Sequence, residues 1–358
     1  MVPSPLLVAE AQVPLADPAG MLAKLCDHFE SHGTVARTAD HGIITGPFGQ
    51  ALLTATPDML HCRVECGSQS SLSIAKMVVA EHLFQFADDA HPAFVWTGDA
   101  DAGATLPYFQ AVTVRHAFAI TPRMRRVLVT GDVQRLSKGG LHVRVLIPPA
   151  GRMPRWPTAQ ADGRVLWPEG ADALTPRVYT LRHLDPDTGE AAIDVALHEG
   201  AAPGSDWART AQPGSIVGLL GPGGGELPAA DWYLFAGDET ALPAIARMLE
   251  ALPAGTRAVA RIEVANAAEE QAIRTVADLD LAWLHRDGAA AGASPLLAAA
   301  VNAVLLPPDA ANPYVWAGCE QANARAIRAG LTARGLSKTR RSVAAYWRRG
   351  YQGVDIGE

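Results

Sequence analysis

A chain of 358 residues that is 49% apolar and 19% charged can fill two or three hydrophobic cores, which excludes an intrinsically disordered protein. Its net charge of −7 gives no overall attraction to nucleic acid or to an anionic membrane, so an anionic ligand needs a local cluster of cations. The four cysteines (Cys26, Cys62, Cys66, Cys319) show no disulfide framework, and "HCRVEC" (61–66) lacks a second ligand pair for a metal, so free thiols in a reducing cytoplasm are expected.

In chain order, residues 1–98 read as a small α+β domain to which no chemistry attaches. "MLAKLCDHFE" (21–30) and "SLSIAKMVVAEHLFQFA" (71–87) carry apolar residues at helical spacing, and 42–66 reads as short strands broken by Gly, Pro and Asp. His61, His82 and His91 match no metal-ligand spacing and read as ordinary histidines. "TGDADAGATLP" (97–107) has no periodicity and places a linker at 99–108. Residues 109–229 are strand-rich: 108–132, 141–149, 176–185, 190–200 and 215–224 alternate or run apolar between turns, which predicts a β-barrel, with a Pro/Gly-rich excursion over 151–176. Residues 230–358 alternate strand and helix, which predicts a doubly wound α/β sheet followed by a C-terminal tail. No apolar run is long enough to cross a bilayer, and no signal peptide is expected.

Within this frame, "RVYTLR" (177–182) is an unusual strand. With a period of two, Arg177, Tyr179 and Leu181 share one face and Val178, Thr180 and Arg182 the other. Cations beside a flat ring suit a large, flat, anionic ligand. "GPGGGE" (221–226) is followed by a strand instead of a helix, so it is a turn or a point of close backbone approach, not a dinucleotide loop. "LFAGDETALPAI" (234–245) is strand, turn and helix: its helix N-terminus suits a phosphate, or Asp238 or Thr240 caps an ordinary helix, with Pro243 tolerated in the first turn. In "HEGAAPGSDWARTAQPGS" (198–215), small residues precede Ser205, which offers a hydroxyl and an N-cap for a pyrophosphate or simply ends a loop. Glu320, at the carboxyl end of "YVWAGCE", either faces a nicotinamide or caps the next helix. "YWRRG" (346–350) can cover an aromatic cofactor and meet an anion, or form a solvated tail.

Taken together, "HVRVLIP", "RVYTLR", "LHEGAAPGSDWARTAQPGSIVGLLGP", "AGDETALPAIARMLEALPAGTRAVARIEVAN", "WAGCE" and "YWRRG" resemble the siderophore-interacting protein family of flavin reductases, over about residues 109–350. The resemblance implies an FAD-binding β-barrel over 109–229, a nicotinamide-binding α/β domain over 230–358, and NAD(P)H-dependent reduction of Fe(III) in a ferric siderophore, releasing Fe(II) in the cytoplasm. It implies that Arg177, Tyr179, Thr180 and Arg182 hold FAD, with Tyr179 against the isoalloxazine. His198, Ala202, Pro203, Gly204, Ser205, Trp207 and Ala208 would wrap the nucleotide. Gly237, Asp238, Glu239 and Thr240 would meet the phosphates of NADH or NADPH, Glu320 the nicotinamide side, and Trp347 the flavin. Arg144 and Arg348 would receive the anionic siderophore, while Gly223 stands where a third basic residue is expected. Glu269 and Glu270 favour NADH by reaching a ribose 2′-OH, against the nearby Arg274, and reduced ferredoxin is a further possible donor. No catalytic side chain, metal site, nucleic acid or membrane partner is expected, and the chain is a monomer or dimer. The alternatives are a flavin reductase with another acceptor and a non-catalytic flavin-containing siderophore-binding protein.

Overall fold

The computed structural model describes residues 5–87, 92–99, 105–198, 202–308 and 310–351. By its internal contacts the chain divides into two compact units, residues 1–109 with 151–174, and residues 110–150 with 175–358. Of the residues singled out above, His91 lies outside those described.

The first unit runs β1 (Leu7–Pro14), α1 (Pro18–Phe29), β2 (Thr34–Arg37), β3 (His41–Gly46), β4 (Gly49–Ala55), β5 (Met59–Cys66), α2 (Gln69–Phe86) and β6 (Thr97–Gly98). The strands form a six-stranded sheet in the order β2-β3-β4-β5-β1-β6. Alternation sets its buried face: Ala9, Ala11 and Val13 of β1 and Leu60, Cys62, Val64 and Cys66 of β5 point into one core, while Glu10 and Arg63 point out. Leu22 and Leu25 of α1 and Leu72 and Leu83 of α2 close that core. Asp17 caps α1 by accepting the Gly20 N–H at 2.9 Å, with Pro18 in the first turn, and Ser68 caps α2 by accepting the Ser71 N–H at 3.1 Å. Cys62 and Cys66 are core residues, and burial pushes the Cys62 thiol up to about 12.

Thr97 and Gly98 pair with Glu10 and Ala9 as the edge strand β6, ahead of the linker read over 99–108. One feature differs from the sequence expectation. The excursion, read inside the barrel segment, belongs over 151–174 to the first unit. It carries a short antiparallel pair, β10 (Thr158–Ala159) and β11 (Val165–Leu166). The buried Trp96 explains the placement: its indole N–H donates to Asp162 O at 2.9 Å and its backbone N–H to Ala161 O at 3.1 Å, while Arg164 lies 3.5 Å over the Phe84 ring.

In the second unit β7 (Phe109–Thr121), β8 (Met124–Thr130), β9 (Gly140–Ile147), β12 (Thr175–Asp185), β13 (Glu190–Ala196) and β14 (Ile216–Gly224) close a barrel in the order β12-β13-β8-β7-β14-β9. Val127, Val129, Val143, Val145, Leu181 and Ile193 fill it, and α3 (Pro203–Thr210) contributes Trp207 to the same core. The glycine run 221–226 is neither phosphate loop nor simple turn. It continues β14 beside β9, so close that a Cβ on Gly140 would stand 2.1 Å from Gly223 O.

The chain continues through β15 (Trp232–Gly237), α4 (Leu242–Ala251), β16 (Arg257–Val264), β17 (Asp278–His285), α5 (Leu296–Ala303), β18 (Pro313–Glu320), α6 (Gln321–Ala333) and β19 (Arg341–Trp347). The sheet β17-β16-β15-β18-β19 is parallel throughout. Buried on both faces, β15 is a continuous apolar run: Tyr233 and Phe235 meet α4, while Trp232, Leu234 and Ala236 meet α5 and α6. The segment read as the beginning of a tail is the fifth strand, β19, paired with β18 from Arg341 opposite Val315 to Trp347 opposite Glu320. Among the described residues no helix is long and apolar enough to cross a membrane.

At the end of β15, Gly237 lets α4 and β18 approach: an added Cβ would meet the Ala241 Cβ at 2.6 Å and Gly318 O at 2.8 Å. Gly237→Ala is therefore expected to destabilise the protein by about 1–3 kcal/mol in urea unfolding. At Gly67 a Cβ meets nothing within 4 Å, and Gly67→Ala should stay within about 0.5 kcal/mol of the parent. Equal midpoints for the two variants would contradict this packing.

Candidate cofactor and substrate cleft

The outer face of the barrel strands β9 and β12, the end of β13, the start of α3, α6 and the carboxyl end of β19 enclose a cleft of about 890 Å³. That is within the ordinary size range for cofactor sites. Register explains which side chains reach it. Thr180 pairs with His142 and Val178 with Arg144, so these four share the outward face. Val178 is 50% exposed there although it is apolar, which offers an uncovered surface to a ligand ring. Tyr179, on the alternate face, packs against the barrel core yet borders the cleft, and burial pushes its phenol up to about 12. Its hydroxyl sits so close to α3 that a Cβ on Gly204 would stand 1.8 Å from it.

The cleft is basic although the chain is acidic. Arg144, Arg177 and Arg348 border it as the sequence suggested, and Arg325 and Arg328 join them from α6. Arg328 donates to Val343 O at 2.9 Å, and Arg348 lies 3.9 Å over the Tyr351 ring. The acid on the wall, Asp194, is buried and held by two 2.7 Å bonds from Arg126, so its charge is compensated. His142 and His198 complete the lining, and burial holds both below the ordinary histidine value, so the rings are neutral near pH 7.

Several residues expected at a cofactor are used otherwise. Arg182 makes a bidentate pair with Glu250 of α4 at 2.6 and 2.7 Å, which ties β12 to the sheet domain and leaves it outside the cleft lining. Trp207 and Ala208 face the barrel core, where Ala208 O accepts a bond from Arg125 Nε at 2.7 Å. Ser205 does not cap α3: Ala202 is the N-cap residue, and the Ser205 hydroxyl accepts the His198 N–H (3.1 Å) and donates to Ala196 O (3.3 Å). His198, Ala202, Pro203, Gly204 and Ser205 nevertheless border the cleft together.

At the turn after β15 only Thr240 reaches the cleft wall. Asp238 is buried with both oxygens engaged. Oδ1 accepts Thr240 N–H (3.0 Å) and its hydroxyl (2.5 Å), and Oδ2 accepts Glu320 N–H (3.1 Å) and Trp347 Nε1–H (2.8 Å). Burial raises the Asp238 carboxyl above its ordinary value, and the Thr240 and Trp347 donors pull against that shift. Glu239 is neutralised by Arg286, which also reaches Glu263 at 3.3 Å. Glu320 takes the capping role: its carboxylate accepts the Ala322 N–H, and its other oxygen the Arg349 N–H at 3.2 Å. The acids proposed for a ribose are occupied too, Glu269 by Thr121 Oγ1 (2.6 Å) and Arg123 N–H (3.1 Å), and Glu270 by His285 Nε2 at 2.8 Å.

Sequence reading overlooked His142, Arg325 and Arg328. His142 shares a face with Arg144 by the period of two, and its Nε2 meets the Tyr346 hydroxyl at 2.6 Å. Arg325 and Arg328 stand one turn apart on α6, on a side of the helix that the strand pattern does not specify.

These residues fit a flavin dinucleotide. His142 Nδ1 is a buried polar atom without a partner on the cleft wall. The first turn of α3 has no side-chain cap over its N–H groups, Gly204 keeps the space beside Tyr179 free of a Cβ, and the surrounding cations match a pyrophosphate.

Three family models match the chain: the siderophore-interacting FAD-binding domain over residues 113–226, siderophore-interacting protein over 230–350, and a family of uncharacterized proteins conserved in bacteria (DUF2218) over 10–97. The chain is 31% identical over 238 residues to the ferric vibriobactin reductase ViuB of Vibrio cholerae, covering 64% of this chain and 86% of that one. Among solved structures, a siderophore utilization protein from T. fusca shares 39% identity at a TM-score of 0.62, covering 69% of this chain and 95% of its own. The siderophore-interacting protein SipS of Aeromonas hydrophila shares 27% at 0.57, covering 68% and 93%. With the barrel, the parallel sheet and the cleft they enclose, these likenesses place the chain in the siderophore-interacting protein family, its second unit carrying the family's two domains.

Proposed function

We propose that the protein is an NAD(P)H-dependent, FAD-containing ferric-siderophore reductase that releases iron as Fe(II) in the cytoplasm. The observation that carries this reading is the cleft itself. Tyr179 and Trp347 border it beside an apolar Val178, and five arginines surround them in a chain of net charge −7. Bound there, FAD supplies the conversion between the electron pair of a pyridine nucleotide and the single electron that Fe(III) accepts.

The protein's own residues bind and orient. Tyr179, Val178 and Thr180 offer the surface for the ring system, and the N–H groups opening α3 meet phosphate oxygens with Arg177. Trp347, fixed by its bond to Asp238, borders the cleft from the end of β19. Arg144, Arg325 and Arg348 gather an anionic ferric chelate at the mouth. No side chain is required as a general base. The lean to NADH requires Glu270 to exchange its bond to His285 for a ribose hydroxyl, since Glu269 is buried in its bonds to Thr121 and Arg123. The four described thiols, all free and buried, agree with a reducing compartment.

Purified protein is expected to be yellow or to take up FAD, and to bleach anaerobically with NADH faster than with NADPH. Colour should return on adding a ferric siderophore, with Fe(II) trapped by an external chelator. Yellow protein that reduces no ferric chelate with any donor would point to the carrier, and colourless protein that takes up no FAD removes the reading.

Tyr179→Ala should weaken FAD binding roughly ten- to hundredfold in a fluorescence titration, with Tyr179→Phe near wild type. An unchanged affinity in Tyr179→Ala would place the flavin elsewhere. Arg144→Glu combined with Arg348→Glu should raise KM for an anionic ferric siderophore about tenfold or more at low salt, leave kcat little changed, and flatten the ionic-strength dependence. A KM insensitive to both substitutions and to salt would dismiss these cations as the substrate's partners.

A further inference from the structure

The second unit holds a further pocket of about 370 Å³, whose lining shares no residue with the cleft. It lies where the start of β9, the segment after β14 and the end of α4 meet, and its size is at the small end of the range for ligand sites. Its floor is apolar: Tyr233, Met248 and Leu252 are buried, and Leu141 and Leu227 are half-buried. Two hydroxyls border it, and both are engaged. Tyr233 Oη donates to Pro228 O and accepts the Ala230 N–H, each at 2.8 Å, and Ser137 Oγ donates to Gln134 O at 2.7 Å. Among the lining side chains, polar capacity remains on Arg247 and Glu226.

Neither of these charges has an opposite partner among the described residues. Arg247 Nη1 donates to Leu181 O at 2.7 Å, which fixes the side chain but leaves the other N–H groups of the guanidinium for a ligand. Its charged neighbour is a second cation, Arg182, whose carboxylate partner Glu250 is held in a bidentate pair. Burial, then Arg182, hold Arg247 below the ordinary arginine value, so an anion brought to it compensates a charge that the fold leaves alone. Glu226 stands exposed at the rim. Beside it Gly225 keeps the entrance clear, since a Cβ there meets nothing within 4 Å.

We propose that this pocket binds a small zwitterion with an apolar body, of the size of a large hydrophobic amino acid, through Arg247 and Glu226. The ligand's carboxylate meets Arg247, its ammonium meets Glu226, and its apolar body covers Leu141, Leu227, Met248 and Leu252. Other ligand classes fit less well. A plain anion is repelled by Glu226 at the rim, and a plain cation by Arg247. An uncharged apolar molecule takes water from Arg247 and returns no partner. The site owes nothing to the reductase reading, since flavin and ferric chelate are placed in the other cleft.

The test is calorimetric titration of the full-length protein with L-phenylalanine, with 3-phenylpropionate, which lacks the amine, and with 2-phenylethylamine, which lacks the carboxylate. One equivalent of L-phenylalanine should bind. The amine alone should bind roughly tenfold or more weakly, and the carboxylate alone roughly threefold more weakly, because Glu226 is exposed. Arg247→Gln should weaken L-phenylalanine roughly tenfold or more, and Glu226→Gln should bring it level with 3-phenylpropionate. Ala251→Phe, at an exposed position on the pocket wall, should abolish binding by filling the space. Glu226→Gln and Ala251→Phe should unfold in urea with the parent's midpoint, so their losses report the pocket and not the fold. Absence of L-phenylalanine binding, or binding untouched by both Arg247→Gln and Ala251→Phe, overturns the site. Equal affinity of wild type for L-phenylalanine and 3-phenylpropionate overturns the zwitterion and the role of Glu226.

Discussion

A single buried carboxylate organises the carboxyl edge of the parallel sheet. Taking a carboxylate out of water costs several kcal/mol unless its lone pairs are filled. Asp238 is filled from three directions: by Thr240 from its own turn, by the backbone N–H of Glu320 at the end of β18, and by the indole of Trp347 at the end of β19. Loops at this edge of an open α/β sheet are where ligands gather. Here they are fixed to one another before any ligand arrives. The same bond sets the position of Trp347, and the residue before it, Tyr346, meets His142 of the barrel at 2.6 Å. One acid thus determines where the sheet domain presents its aromatic wall to the barrel, and the cleft takes its shape from that.

Charge in the cleft arises by subtraction as much as by placement. Chain-wide, acids outnumber bases 37 to 30, so a basic site needs nearby carboxylates to be cancelled or turned away. Asp194 is matched by Arg126, Glu250 by Arg182 outside the cleft, and Glu239 by Arg286. What remains facing the cleft is guanidinium, at a boundary of low-dielectric walls where a field is least screened. The two histidines stay neutral because burial opposes their protonation, so the positive field comes from groups whose charge does not vary across physiological pH.

The architecture was legible wherever one face of an element is buried and the other is not. The alternation in β1 and β5, the apolar run of β15 and the strand–helix rhythm after residue 230 all carry that signal. It fails for β19, a sheet-edge strand whose residues are nearly all half-buried, so that "RSVAAYW" shows neither alternation nor a continuous core run. It fails again for the excursion, whose place depends on a tryptophan some 65 residues earlier. At the site, the ring, the arginines and the small residues before α3 could be read as a ligand surface because their types are unusual for a strand and a loop. The fate of Asp238 could not. Its partners are 82 and 109 residues away, and a sequence displays donors and acceptors without saying which will meet. Trp207 shows the converse: a motif residue beside the cleft that the barrel core takes for itself.

Gly223 brings these strands of reasoning together. Its neighbours are glycine for steric reasons, since Gly140 lies against Gly223 O, and a Cβ at Gly224 would stand 3.3 Å from the His142 ring. At Gly223 itself a Cβ meets nothing within 4 Å, so packing would admit a side chain, including a cation. Gly223 pairs with His142, which borders the cleft, so glycine at this position adds no cation beside it while the space remains. The cations that border the cleft stand on β9, β12, α6 and the segment after β19. A ligand that directs its negative charge towards α6 meets Arg325 and Arg328. The distribution of cations around the rim, more than their number, is what this chain has available to discriminate among anionic ligands.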